Sequence, residues 1–169
     1  MIASVELIEA AERATLAALC PCAQEELDDW LLPYEPSVVG RAKSAVPLRH
    51  ANLSLHSLPE IIARYRARGL PPRFRLADVP GLSNVHKALA ELGFSPGSPT
   101  HVQLSTPAAL HGLVSDSMAH VLEQQPDATW QAAFVAAGAA GKDAREEAER
   151  LAILQRSPFS LFAEVREAG

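Results

Sequence analysis

Cysteine is nearly absent from this 169-residue chain: there are two, Cys20 and Cys22, and they flank Pro21. A disulfide between them would close a very tight ring, and a zinc site would need two further ligands at metal spacing. The six histidines (His50, His56, His86, His101, His111 and His120) include no His-x-x-x-His or Glu-x-x-His pair, so they read as ordinary core or surface residues. Aromatic residues make up only 5% of the chain. No apolar run approaches the roughly 20 residues that a membrane-spanning helix needs. Positive charge is in the minority, with 15 Lys and Arg against 20 Asp and Glu and a net charge of -5. An acidic surface repels a phosphate backbone, which argues against non-specific nucleic-acid binding. Glu6, Glu9 and Glu12 interrupt the opening helix, so it lacks the pattern of a signal peptide. The expectation is a cytoplasmic protein with neither membrane nor nucleic acid as a partner.

What is present suffices for a folded core. Apolar residues make up 48% and charged residues 21% of the chain, a balance unlike that of disordered segments. The length fits one domain or two small ones. Val5 to Leu19 shows the 3.6-residue apolar period of a helix, with Ser4 to cap it and Pro21 to end it. Leu27, Trp30 to Leu32 and Tyr34 read as one strand and Val38 to Leu48 as a second, turning at Glu35-Pro36-Ser37; Pro33 moves the first to an edge or a bulge. A helix follows, with Ser57 as cap, Pro59 in its first turn and Gly69 as its stop. Arg73 to Leu76 reads as a short strand. From Ser83 to Gly93 the pattern is helical, with Val85, Leu89 and Leu92 on one face, and Thr100 to Leu104 reads as a strand. The order predicts an α+β fold.

A boundary falls at 106–112. Beyond it, Leu113 to Leu122 reads as a strand and Ala128 to Ala137 as a helix carrying Trp130 and Phe134 on one side. Asp143 and Glu146 form a capping pair for a helix running to Arg156. Phe159 to Val165 alternates with period 2, which places Phe159, Leu161, Ala163 and Val165 on one face and leaves a terminal strand without a partner.

Three groupings suggest chemistry. Gly138 to Lys142 has the look of a phosphate loop, but its glycines are two residues apart and Asp143 follows the lysine, whereas a Walker A loop needs a gap of four and then Ser or Thr. Ser115, Asp116, His111 and His120 hold the residue types of a nucleophile, orienter and base without a G-x-S-x-G elbow. Arg64, Arg66, Arg68, Arg73 and Arg75 are the densest basic cluster. On a helix Arg64 and Arg68 share a face while Arg66 points away, which suits solvated arginines lying along a surface. Arg73 and Arg75 alternate onto one face of a strand, where they could meet an anionic group.

The segments EELDDWLLPYEP, GRAKSAVPL, ARYRARGLPPRFRL, HKALAELGF and PTHVQL carry a shared pattern: Trp30 in the first strand, Arg41, Ala42, Ser44 and Pro47 as R-A-x-S-x-x-P, and Tyr65 to Phe74 as Y-x-x-x-G-L-P-P-x-F. In this pattern the chain resembles the amino-terminal half of bacterial GNAT-family N-acetyltransferases of the tandem type, in which a degenerate GNAT-like domain precedes a functional one. Lys43 stands where relatives more often have Asn. Ala128 to Gly169 is similar to the start of the second domain. The resemblance implies a GNAT-like fold, a mixed and mainly antiparallel sheet with flanking helices. It divides the chain into a degenerate domain at 1–105, a linker at 106–112 and an incomplete second domain at 113–169. It also implies acetyl-CoA as the cofactor, held by an R/Q-x-x-G-x-G/A loop at a helix N-terminus. None of the nine glycines here lies in such a loop. The family's thiolate-protonating Tyr corresponds to Leu89. The chain is therefore expected not to bind acetyl-CoA and to be inactive alone, with no catalytic, cofactor or metal residues of its own. Arg41, Arg73 and Arg75 are its candidate anion or substrate contacts. One reading is the amino-terminal part of a tandem acetyltransferase, whose partner is the missing carboxy-terminal GNAT domain. Another is a stand-alone pseudo-acetyltransferase acting as a binding, regulatory or dimerisation module, its terminal strand pairing across a homodimer. A third is an unrelated small α+β enzyme.

Overall fold

Helix α1 (Val5–Leu19) forms where the sequence placed it: the Ser4 hydroxyl oxygen accepts from the Leu7 N–H at 3.3 Å, and Cys20, at φ 41°, breaks the helix before Pro21. The computed structural model describes residues 4–106, 108–109, 120–138, 143–158 and 160–165. Two further strands follow α1, β1 (Ala23–Leu27) and β2 (Trp30–Tyr34), joined by a tight turn in which Asp28 takes the left-handed backbone at φ 52°. This corrects the expected hairpin. The turn is Asp28-Asp29 rather than Glu35-Pro36-Ser37, and the partner of β2 precedes it in the chain. The expected second strand is broken by a 3-10 turn at Gly40–Lys43, leaving only β3 (Val46–Pro47), which pairs antiparallel with Trp30 and Leu31. β2 is the middle strand, yet β3 is too short to reach Pro33, so the missing N–H there deprives no neighbour of a bond.

All five residues of β2 are buried, because the sheet is covered on both faces. Trp30, Leu32 and Tyr34 face α2 (Leu58–Ala67) and α3 (Ser83–Glu91), packing with Ile61, Tyr65, Val85 and Leu89. Leu31 joins Val46, Leu48 and Leu16 beneath α1. Phe74 meets both Trp30 and Phe94 edge to face, with centroids 5.6 and 5.2 Å apart. The expected strand at Arg73 to Leu76 is reduced to one parallel bridge, Ala45 to Phe74. The Ala45 N–H donates to the Arg73 carbonyl at 2.8 Å and the Arg75 N–H to the Ala45 carbonyl at 2.9 Å. Gly69 and Gly93 stop α2 and α3 at φ 68° and 86°. Ser57 precedes α2 but does not cap it, since its hydroxyl donates to Asp28 instead. Leu92, expected inside, is 50% exposed. Thr100 to Leu104 forms no strand, and Val102 and Leu104 stand in solvent.

The remaining elements are β4 (His120–Glu123), α4 (Ala128–Gly138), α5 (Ala144–Arg156) and β5 (Phe162–Val165). Asp143 caps α5 by accepting from the Arg145 N–H at 3.0 Å. β5 is not unpartnered: it pairs antiparallel with β4 over its whole length. Its buried phase is also the reverse of the one expected, with Phe162 4% and Leu161 64% exposed. The reason is Trp130, which stacks on Phe134 at 5.1 Å, meets Phe162 edge to face at 5.0 Å and donates its indole N–H to the Ala163 carbonyl. Residues 113–119 of the expected strand, with Ser115 and Asp116, lie outside the described residues, as do His111, Gly141 and Lys142. Among the described residues no helix is long and apolar enough to cross a membrane.

Candidate functional site

The three candidate arginines meet different fates. Phe74 packs against the core, and of its two neighbours Arg75 meets α1 through Glu12. Arg75 is largely buried and forms an ion pair with Glu12 at 2.7 Å. Burial lowers its pKa, Glu12 opposes that shift, and the charge of Arg41 adds to it. Arg41 and Arg73 are exposed. The fold thus brings Arg41 into electrostatic reach of Arg75, but Arg75 has its counterion within the protein. What this cluster does is attach α1 to the sheet, together with Glu9, which accepts from the His50 N–H at 2.7 Å, and Arg13, which donates to the Leu48 carbonyl at 3.3 Å.

The helical arginines divide as their spacing predicts. Arg64 reaches Glu25 at 3.0 Å, and Arg68 reaches it at 3.6 Å while lying over the Tyr34 ring at 4.0 Å. Arg66 is exposed. The Tyr34 hydroxyl donates to Glu25. Burial, then that carboxylate, pushes the Tyr34 pKa up to about 12. The Tyr34 bond, followed by Arg64 and Arg68 acting against burial, holds Glu25 below the ordinary carboxylate range. This network joins β1 to α2.

Sequence reasoning missed two constellations. In the first, the Ser54 hydroxyl and Asp28 sit on opposite nitrogens of His56, at 2.5 Å from Nδ1 and 3.1 Å from Nε2. These are the residue types of a nucleophile, base and orienter. However, His56 and Asp28 have side chains 71% and 46% exposed. In bulk water the fields that activate such a serine are screened, and the arrangement instead holds the hairpin tip to the start of α2. Its signal was Ser-x-His, too common to single out. The second is Glu35, buried with a side chain 3% exposed and bonded to Arg156 at 2.6 Å. Burial alone would raise its pKa, but donation from Cys22, the charge of Arg156 and the Ser37 N–H together hold it below the ordinary range. In return the Glu35 carboxylate pushes the Cys22 thiol up. No sequence pattern links positions 35 and 156.

Leu89 is 6% exposed and packs in the main core. Gly81 is the described glycine with backbone pressed closest against it, and what it faces is the His50 carbonyl, 2.0 Å from where a Cβ would lie. A carbonyl oxygen repels a pyrophosphate. Concave surface is found at the other end of the chain. An apolar notch between Pro126, Trp130 and Phe162 has a volume of only about 10 Å³, far below the few hundred Å³ of ordinary cofactor pockets. A polar groove lies along Gln124, Gln155, Ser157 and Ser160, and among the described residues the cation lining it, Arg156, is already paired with Glu35.

A family model described as "Probable histone acetyltransferase Rv0428c C-terminal" matches residues 6–148. No curated protein and no solved structure matches the chain.

Proposed function

The chain belongs to the family of the C-terminal part of the probable histone acetyltransferase Rv0428c, and from that premise we propose that it is a non-catalytic part of a GNAT-type N-acetyltransferase. On this reading acetyl transfer to an amine uses a cofactor site and a general acid supplied by other residues of the enzyme. The observation that carries it is Leu89. At the position that corresponds to the family's proton donor stands an aliphatic side chain, 6% exposed and packed in the core, which can neither protonate a thiolate nor reach one. The residues present do not fit acetyl-CoA: the pyrophosphate loop is missing from the sequence, the tightest described glycine faces a carbonyl, and Arg75 is tied to Glu12. No catalytic step is assigned to this chain for that reason.

The test is an acetyl-transfer assay that follows CoA release from acetyl-CoA, with a polyamine and a lysine-containing peptide as acceptors. The expected rate equals the protein-free blank with either acceptor. Amine-dependent CoA release that copurifies with the chain would overturn the proposal.

A further inference from the structure

We propose that residues 35–38 form a docking socket for α5, which holds the carboxy-terminal unit at 120–165 onto the sheet-and-helix unit before it. The inference does not depend on the acetyltransferase reading. Its anchor is Glu35, a carboxylate buried so deeply that its oxygens must be occupied by donors. Three nitrogen donors meet it. The Cys22 N–H reaches Oε2 at 3.1 Å and the Ser37 N–H reaches Oε1 at 3.3 Å, both from the same unit. The third is Arg156 Nη2, 2.6 Å from Oε2 and 121 residues away in the chain.

Two further bonds align α5 on the socket. Glu149 accepts from the Val38 N–H at 2.9 Å, and Arg156 Nε donates to the Cys20 carbonyl at 3.3 Å. Residues 149 and 156 are two helical turns apart and so lie on one face. That face places an acceptor over a free backbone donor and a cation over the buried carboxylate, a reciprocal charge match along a single stripe of α5. These bonds are charge-assisted, and the Arg156 contact is short even for its class. Withdrawing α5 would take the counter-charge from Glu35 and leave it only donors from its own unit.

Amide hydrogen exchange on the full chain tests the socket. Arg156→Ala truncates a side chain that is 38% exposed and opens no cavity. Exchange protection in α5 is expected to fall at least about tenfold, with protection around Ile61 and Tyr65 in α2 unchanged. Arg156→Lys should fall between the two, because it keeps the charge but loses the planar donor pair. Glu35→Gln with Arg156→Ala should expose α5 no further than the worse single variant. Protection in α5 within about twofold of the parent in Arg156→Ala overturns the proposal, as does loss of α2 protection alongside α5, which would make the contact part of global stability. If Glu35→Gln leaves no folded protein, the two Arg156 variants decide the matter alone.

Discussion

Glu25 and Glu35 are two carboxylates that this fold holds below their ordinary pKa, by the Tyr34 hydroxyl and Arg64 in one case and by Cys22 and Arg156 in the other. Over the acid range between the ordinary value of 4.5 and the lowered folded values, the unfolded chain binds more protons than the folded one. Stability from these groups is therefore complete above 4.5 and is lost as pH falls through the folded values. Melting temperature should decline from neutral pH into this range, and Glu25→Gln with Glu35→Gln should flatten the decline. An equal slope in the double variant would show that other groups carry it. Tyr65 makes a different kind of contact: its buried hydroxyl donates to the Pro33 carbonyl at 2.9 Å. Tyr65→Phe leaves that carbonyl unpaired and should cost about 1 to 3 kcal/mol in urea denaturation.

Among the elements, β5 offers the sharpest contrast. Phe162 is 4% exposed against Trp130 while its neighbour Leu161 is 64% exposed. Phe162→Ala should cost about 3 to 5 kcal/mol of the stability of its unit, and Leu161→Ala less than about 0.5. The order of the two melting temperatures checks which face is inward. In the 3-10 turn Pro80–Leu82, which leads into α3, Gly81→Ala drives a Cβ against the His50 carbonyl. That contact is backbone and cannot rotate away, so thermal unfolding should show a loss of at least about 3 kcal/mol, the top of the overpacking range.

The same elements show what was legible beforehand. The helices were, because Ser4, Asp143, Gly69 and Gly93 mark their ends through side-chain or backbone chemistry that acts locally. β1 was not, because its sequence AQEEL is that of a solvated edge with no apolar alternation. The phase of β5 depended on Trp130, and the isolation of Thr100 to Leu104 on the absence of a neighbouring strand among the described residues. Both are tertiary facts. Of the candidate site residues, Arg75 has its counterion in Glu12, 63 residues away, a pairing beyond any local pattern.

At the scale of the whole molecule, two helical layers enclose β2: α1 on one face of the sheet and α2 with α3 on the other. The carboxy-terminal unit joins this body through α5. The family match runs from residue 6 to 148 and so passes through the region 106–112, where the sequence suggested a linker. The position expected to hold a proton donor is instead one of the contacts that stabilise the core. On the proposed function this chain contributes architecture to an acetyltransferase and does not hold the cofactor itself. The deciding experiment is calorimetric titration of the full chain with acetyl-CoA. No saturable heat is expected up to millimolar cofactor, and a saturable isotherm with a micromolar Kd would overturn the proposal.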